Sequence, residues 1–541
     1  MSDGTFRVPT PVNEPVQGYA PGTPERTSLE ATVRQMAAER TEAPCVIDGA
    51  EVLTGERFAQ RAPHDHGLEL AEVHAAGIDE VRRAIDGVEA ARHDWAALPF
   101  EHRAAIFLRA ADLLAGPFRD TINAATILGQ SKSVQQAEID AACELIDFLR
   151  FNVAYAQQLH AEQPLSVAGE WNRTELRPLD GFVLAITPFN FTAIAGNLPT
   201  APAILGNTVV WKPSEKQALA AHHTLRVLRA AGLPDGVINL VHGDGALVAD
   251  VAVSDPRFAA LHFTGSEAVL TSLWERIGAN VGRYTSFPRI VGESGGKDFV
   301  LAHPSADVDR LAVALGRGAF EYQGQKCSAA SRAYLPASRW PAVRDRLADL
   351  ARDLTMGDVG RDLSLYLGAV IDERAFRRHA AAIDQARHEG VEVLVGGDVD
   401  DAEGWFVPPT VLVTDNPRSP TMTEELFGPI LTVFVYPDED FDAMLPEVDQ
   451  ATRYALTGAV FADDRAAVAR ASTALRHAAG NLYVNDKPTG SVVGRQPFGG
   501  ARRSGTNDKA GSVFNLLRWA SPRAIKETWA APTDWRYPHQ G

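Results

Sequence analysis

Strand–helix alternation through the middle of the chain predicts an α/β protein built on doubly wound parallel sheets. Three observations carry that expectation. Apolar runs such as GFVLAITP (181–188) are continuous rather than alternating, as suits strands covered on both faces. Helical patterns separate these runs one by one, the order that a parallel sheet requires. The 541 residues also exceed what one hydrophobic core holds, so two or more domains are expected.

The elements follow in chain order. The opening stretch, MSDGTFRVPTPVNEPVQGYAPGTPERT, is Pro-rich and reads as an extended arm on the surface or on a neighbouring subunit. Val81, Ile85, Val88 and Trp95 recur at helical spacing over 79–95, and an Ala-rich helix follows over 101–114. AEIDAACELIDFLRFNVAYA (137–156) continues the helical pattern, with Cys143 as a packing residue in its apolar stripe. After the strand at 181–188 come a helix at 193–207 despite its prolines, a strand in TVVWKPS, and a helix ended by Gly232 and Pro234. GVINLVHG is a third strand, and FAALHFTG a fourth that leads into another helix. RIVGESGGKDFVLAHP (289–304) reads as one strand interrupted by a glycine pair. A second α/β region extends to about residue 500, with strands in VEVLVGG, TVLVTD and PILTVFVYPD. The tail carries a polar turn and a strand-like run suited to pairing with another sheet or subunit.

Charge and composition exclude several classes of partner. The balance of 52 basic against 69 acidic residues gives −17, the wrong sign for nucleic acid or an anionic membrane. No stretch approaches the roughly 20 apolar residues of a spanning helix, and the start of the chain lacks a signal-peptide pattern. Cys45, Cys143 and Cys327 are far apart and odd in number, which fits a reducing cytoplasm rather than a disulfide framework. Neither an HExxH nor a clustered Cys/His set occurs, so no metal is expected.

Ligands of doubly wound sheets sit at the carboxyl ends of the strands, where TPFN, KPSE and TGS stand. A thiol at Cys327 needs thiolate character and an oxyanion donor to act as a nucleophile. The small residues after it could open a helix whose dipole lowers the thiol pKa. Asn190 has an amide suited to an oxyanion, and glycines beside Glu293 would let its carboxylate swing. Taken singly, each has a plainer reading: a packed cysteine, a turn asparagine, a surface glutamate. FTGS lacks a GxGxxG pattern, so a phosphate site and an ordinary helix cap both fit it.

Together, TPFNFT, WKPSE, FTGS, GESGGK, GQKC, EELFGP and QPFGG, all in order, resemble the aldehyde dehydrogenase superfamily over nearly the whole chain from about Pro44. The resemblance implies Cys327 as nucleophile, Glu293 as base and Asn190 as oxyanion donor. It implies NAD as cofactor: Thr187 would line its site, Lys212 and Glu215 hold the adenosine ribose, and Gly265 and Ser266 meet the pyrophosphate. Glu425 and Phe427 would hold the nicotinamide ribose and ring. A carboxylate at Glu215 would repel a 2′-phosphate, favouring NAD over NADP.

Departures from the common motifs, with DKPTGSVVGRQPFGG and SGTNDKAG near the end, resemble the monofunctional Δ1-pyrroline-5-carboxylate dehydrogenase branch. That likeness implies oxidation of L-glutamate γ-semialdehyde to glutamate in proline catabolism. Gly490 and Ser491 would anchor the substrate carboxylate, and Ser328 would add a hydrogen bond beside the nucleophile. Phe191 and Phe498 would sandwich the aliphatic chain. Glu144 could meet the substrate ammonium, or be simply solvated. The implied division is a cofactor domain at 1–160 and 182–294, a catalytic domain at 295–500, and a β oligomerisation flap at 161–181 and 501–541, in at least a dimer. The alternatives are a dehydrogenase for another small semialdehyde, such as succinic semialdehyde, and a non-catalytic binding protein on the same fold. A coenzyme-A-acylating enzyme fits less well, because Glu293 is a hydrolytic base.

Overall fold

The apolar run near residue 182 forms an inner strand of a sheet in the computed structural model, which describes residues 6–540. Residues 1–5 of the expected arm, and residue 541, lie outside the described residues. Strand Phe182–Thr187 pairs in parallel with Val209–Pro213 on one side and Phe258–Thr264 on the other. Ile238–Leu240 extends the first side and Arg289–Glu293 the second, and an antiparallel hairpin, Cys45–Ile47 with Ala50–Val52, completes seven strands. The order of winding reverses between Phe182–Thr187 and Phe258–Thr264, which opens a crevice at their carboxyl ends.

Alternate residues of one strand serve two cores, because side chains on a strand alternate between faces. Val183 and Ala185 join Trp95, Phe107 and Trp211, whereas Phe182 and Leu184 join Val81, Ile85 and Val88. That two-sided burial accounts for the unbroken apolar run. Helices Ile78–Ala97 and Phe100–Ala115 match their predicted patterns. The pattern over 137–156 contains a π-helical turn, Glu138–Cys143, before the α-helix Glu144–Ala161.

A second seven-stranded sheet has the order Glu392–Val395, Thr410–Thr414, Ile430–Tyr436, Ala330–Pro336, Asp298–Ala302, Thr457–Phe461, Asn481–Val484. Its pairings are parallel except at the edge strand Glu392–Val395. The segment 289–304 differs from its sequence reading. It is two strands, Arg289–Glu293 and Asp298–Ala302, belonging to different sheets, and the glycine pair is the crossover. A β-carbon at Gly295 would stand 2.2 Å from Glu425 Oε2, and one at Gly296 would stand 2.3 Å from the Cys327 carbonyl oxygen. Only glycine lets the chain cross there.

Periodicity did not foretell the hairpin Arg57–Ala62 with Asp65–His74, whose register is shifted at two points. The extended arm is seated on its own chain: Asn13 and Glu14 bond Asp147, and Gln17 and Tyr19 bond Glu138. Strands Glu170–Arg177 and Ser521–Thr528 form a separate antiparallel ribbon with no fully buried residue. Among the described residues no helix is long and apolar enough to cross a membrane.

Candidate active site

The carboxyl edge of the first sheet and the loop before strand Ala330–Pro336 of the second bring the predicted catalytic residues together. Asn190 lies just past strand Phe182–Thr187 and is buried. Its Nδ2 donates to the Gln325 carbonyl at 3.0 Å, two residues before Cys327. One amide hydrogen is thereby fixed and the other is left to a ligand.

Glu293 ends its strand with the backbone held on both sides. Its carbonyl accepts from the Gly265 N–H at 3.1 Å, and the residue bridges to Gly505. The Oε2 atom accepts from the Gly500 N–H at 2.7 Å. β-Carbons at Gly499 and Gly505 would lie 3.2 Å and 2.8 Å from its two oxygens, so glycines make the space its carboxylate occupies. Burial holds the carboxyl well above the ordinary value, with the Gly500 N–H and the Lys509 charge pulling it back.

Cys327 is half-buried, and its surroundings correct one expectation. The residues after it do not open a helix; a turn carries them into strand Ala330–Pro336. Their small side chains instead fit a strand flanked by Asp298–Ala302 and Ile430–Tyr436. Burial, then the charges of Asp298, Glu425 and Glu293, push the thiol well above its ordinary 9.0.

Upstream, Tyr322 and Gln323 both take left-handed backbone, at φ 52° and 53°. Such strain persists only where neighbours overdetermine it. Gln323 Nε2 donates to the Ser131 and Ala369 carbonyls at 3.0 and 2.8 Å, and Gln325 Oε1 accepts from the Ile371 N–H at 2.8 Å. Sequence reasoning passed over these glutamines, whose only signal was two amides flanking Gly324.

The expected cofactor residues border the crevice. Thr187 Oγ1 accepts from Trp211 Nε1 at 3.1 Å. Lys212 is buried, its ammonium weakened by burial against the pull of Glu215 and Asp244, and among the described residues it makes no hydrogen bond. A β-carbon at Gly245 would stand 3.3 Å from its Nζ. Glu215 is exposed. Ser266 caps the 14-residue helix Glu267–Asn280 by accepting from the Val269 N–H, and Gly265 precedes it. Glu425 Oε1 accepts from the Gly296 N–H at 2.8 Å. Phe427, left-handed at φ 57°, packs edge-on to Phe189 with centroids 5.9 Å apart.

On the opposite side, Ser328 Oγ and Thr489 Oγ1 are 2.7 Å apart, joining the residue after Cys327 to the one before Gly490. Gly490 is exposed at φ 90°, and Ser491 is half-buried. Phe191 is buried beneath the Lys132 ammonium; Phe498 is half-buried and bridges to Ala510. Glu144 is not the solvated glutamate its helix suggested. It is half-buried, and burial and Asp140 raise its carboxyl to about 8 against the pull of Lys132 and Lys326. Sequence reasoning missed that charged neighbourhood, since isolated lysines and aspartates give no periodic signal. Among the described residues no group of three metal-binding side chains occurs.

Comparison with known proteins agrees with this layout. The family model described as "Aldehyde dehydrogenase family" matches residues 52–522. The chain is 48% identical to the Delta-1-pyrroline-5-carboxylate dehydrogenase of Agaricus bisporus, over 99% of this chain and 98% of that one. It is 47% identical to the mitochondrial enzyme of that name from Bos taurus, over 97% and 94%. A crystal structure of the Delta-pyrroline-5-carboxylate dehydrogenase from Mycobacterium tuberculosis bound with NAD superposes with a TM-score of 0.96 at 58% identity, covering all of both chains. With the parallel strands of both sheets, the crossover between them and the Cys327 loop inside the matched span, the chain belongs to the aldehyde dehydrogenase family.

Proposed function

We propose that the chain is an NAD-dependent oxidoreductase acting in proline catabolism. Its substrate is L-glutamate γ-semialdehyde, the open form of Δ1-pyrroline-5-carboxylate, and its product is L-glutamate. The observation that carries this reading is the Asn190 amide bonded into the loop of Cys327, with Glu293 seated among glycines nearby.

The residues at the crevice fit a dinucleotide. Lys212 is a buried ammonium that makes no side-chain hydrogen bond among the described residues, Glu215 offers a carboxylate to ribose hydroxyls, and the helix starting after Ser266 offers free N–H groups to a pyrophosphate. Glu425 and Phe427 suit the second ribose and the nicotinamide. Bound NAD supplies the hydride acceptor. The chain's own work lies before and after that transfer.

Cys327 gives its proton to water, and its sulfur adds to the aldehyde carbon, forming a thiohemiacetal. The free Asn190 N–H and the Cys327 backbone N–H receive the oxyanion. After oxidation the sulfur carries a thioester. Glu293, whose carboxyl burial holds above the usual carboxylate range, takes a proton from water when ionised, and that water releases glutamate. Phe191 and Phe498 bracket the substrate chain, Ser328 sits beside the sulfur, and Gly490 with Ser491 receives the α-carboxylate.

In this reading residues 1–160 and 182–294 form the cofactor domain and 295–500 the catalytic domain. The ribbon of 161–181 and 501–541 is a subunit contact, supported by strands that hold no fully buried residue. Sedimentation at the mass of a single chain would overturn the last assignment. Three unpaired cysteines support a cytoplasmic location.

The deciding experiment follows NADH formation from pyrroline-5-carboxylate with wild type and Cys327→Ala side by side, and with succinic semialdehyde as competitor. Turnover that depends on Cys327 and favours the aminated substrate is expected. A preference for succinic semialdehyde would refute the substrate, and full activity in Cys327→Ala would refute the mechanism.

A further inference from the structure

Beneath Phe191 runs a row of alternating charges, buried except for the half-buried Lys487, that the mechanism above does not use. Lys132 is fully buried, and its Nζ stands 2.7 Å from Asp140 Oδ2. Lys326, the residue before the nucleophile, reaches the same Asp140 oxygen at 3.3 Å. Its Nζ is also 3.8 Å from Glu321 Oε2, which Lys487 approaches at 2.6 Å. Lys487 Nζ in turn lies 3.5 Å from where a β-carbon on Gly490 would be. The row thus begins under Phe191 and ends at the turn assigned to the substrate carboxylate.

Ions buried this deeply are poor stabilisers, because desolvation offsets most of their attraction and apolar side chains of similar size hold a fold as well. Their value is in orientation. The Lys132 ammonium lies 4.4 Å from the centroid of Phe191 and 4.3 Å from that of Tyr322, close enough for a desolvated cation–π contact with each. One cation therefore fixes a wall of the substrate pocket and the left-handed turn upstream of the nucleophile. Asp140 is kept ionised: burial works against its charge, but Lys132 and Lys326 outweigh burial. The row counts three ammonium groups and two carboxylates, a surplus of one positive charge that Glu144, half-buried alongside, balances when ionised.

We propose that Lys132 is a positioning residue that makes the pocket selective for an amino-acid aldehyde, by locking Phe191 and, through Asp140, the Lys326 ammonium. Lys132 touches no substrate. The inference rests on the function proposed above, since it takes the pocket between Phe191 and Gly490 as the substrate's.

The test compares wild type, Lys132→Met and Asp140→Asn with two substrates, glutamate γ-semialdehyde and pentanal, an uncharged aldehyde of the same chain length. For wild type, a lower KM for the semialdehyde is expected; its absence would refute the substrate reading and this inference with it. For Lys132→Met, the expected result is a KM for the semialdehyde raised about tenfold or more, with kcat and all pentanal constants within about threefold, the size a lost desolvated cation–π contact implies. Asp140→Asn is expected to act in the same direction. Equal losses on both aldehydes, or unchanged selectivity in both variants, would overturn the proposal while leaving the substrate reading intact. Failure of both variants to fold would also overturn it, in favour of a purely structural role.

Discussion

Asn190 has one hydrogen committed to the Gln325 carbonyl, so removing its side chain costs the oxyanion a donor and loosens the nucleophile's loop together. Asn190→Ala is expected to lower kcat by about 10²–10³, the usual loss for one such donor, while melting remains near wild type. The sulfur gives a second prediction at this scale. With its thiol held above 9.0, cofactor-free enzyme should be alkylated by iodoacetamide at a rate that keeps climbing through pH 9. A plateau below pH 7 would mean that an activating charge has been overlooked. The identities of Cys327, Asn190 and Glu293 were legible as residue types in a recognisable order. The raised thiol was not, because it depends on burial first and then on Asp298 and Glu425, which reach the sulfur only through the fold. The same holds for Lys132, in the loop after helix Arg119–Gln130, and Asp140 of the π-helical turn.

Elements with strong periodicity were read correctly, and the failures fall where two sheets meet. The run 289–304 looks like one strand because both halves are apolar, yet a strand boundary carries no signal beyond a glycine pair. Those glycines make the crossover a sensitive point. Gly296→Ala would drive its methyl to 2.3 Å from the Cys327 carbonyl, a backbone atom that cannot step aside cheaply. Overpacking of this kind costs about 1–3 kcal/mol. Gly296→Ala should therefore lose at least tenfold in kcat, measured by NADH formation, and melt several degrees lower. Wild-type activity in that variant would show that the loop has more freedom than its contacts suggest. The hairpin at 57–74 was missed for a related reason, since its register shifts break the alternation that reveals a strand.

Across the whole molecule, the Pro-rich arm turns out to be part of the core's electrostatics. Arg119 joins Glu138 of the π-helical turn to Glu14 of the arm, and Glu138 also accepts from Gln17 and Tyr19. Burial opposes the Glu138 charge, but the Arg119 and Gln17 bonds prevail and hold it below its ordinary 4.5. A depressed acid stabilises the fold above its unfolded value, and that support is lost as pH falls through the folded value. Glu138→Gln should cost about 3 kcal/mol at neutral pH and expose residues 6–23 to protease, because a buried cation loses its partner. The gap from wild type should narrow as pH drops below 4.5. An unchanged melting temperature at pH 7 would remove the arm from the stability of the fold. Sequence alone gave the arm its extended form and could not give its seat, which depends on residues more than 100 positions away.

The bond from Asn190 to Gln325 joins side chains and backbone that belong to opposite halves of the molecule, so chemical competence depends on those halves staying closed against each other. A small molecule wedged into that seam would silence the enzyme without resembling either the aldehyde or the dinucleotide. Inhibitors could therefore be sought by shape at the seam, away from pockets that many other enzymes share.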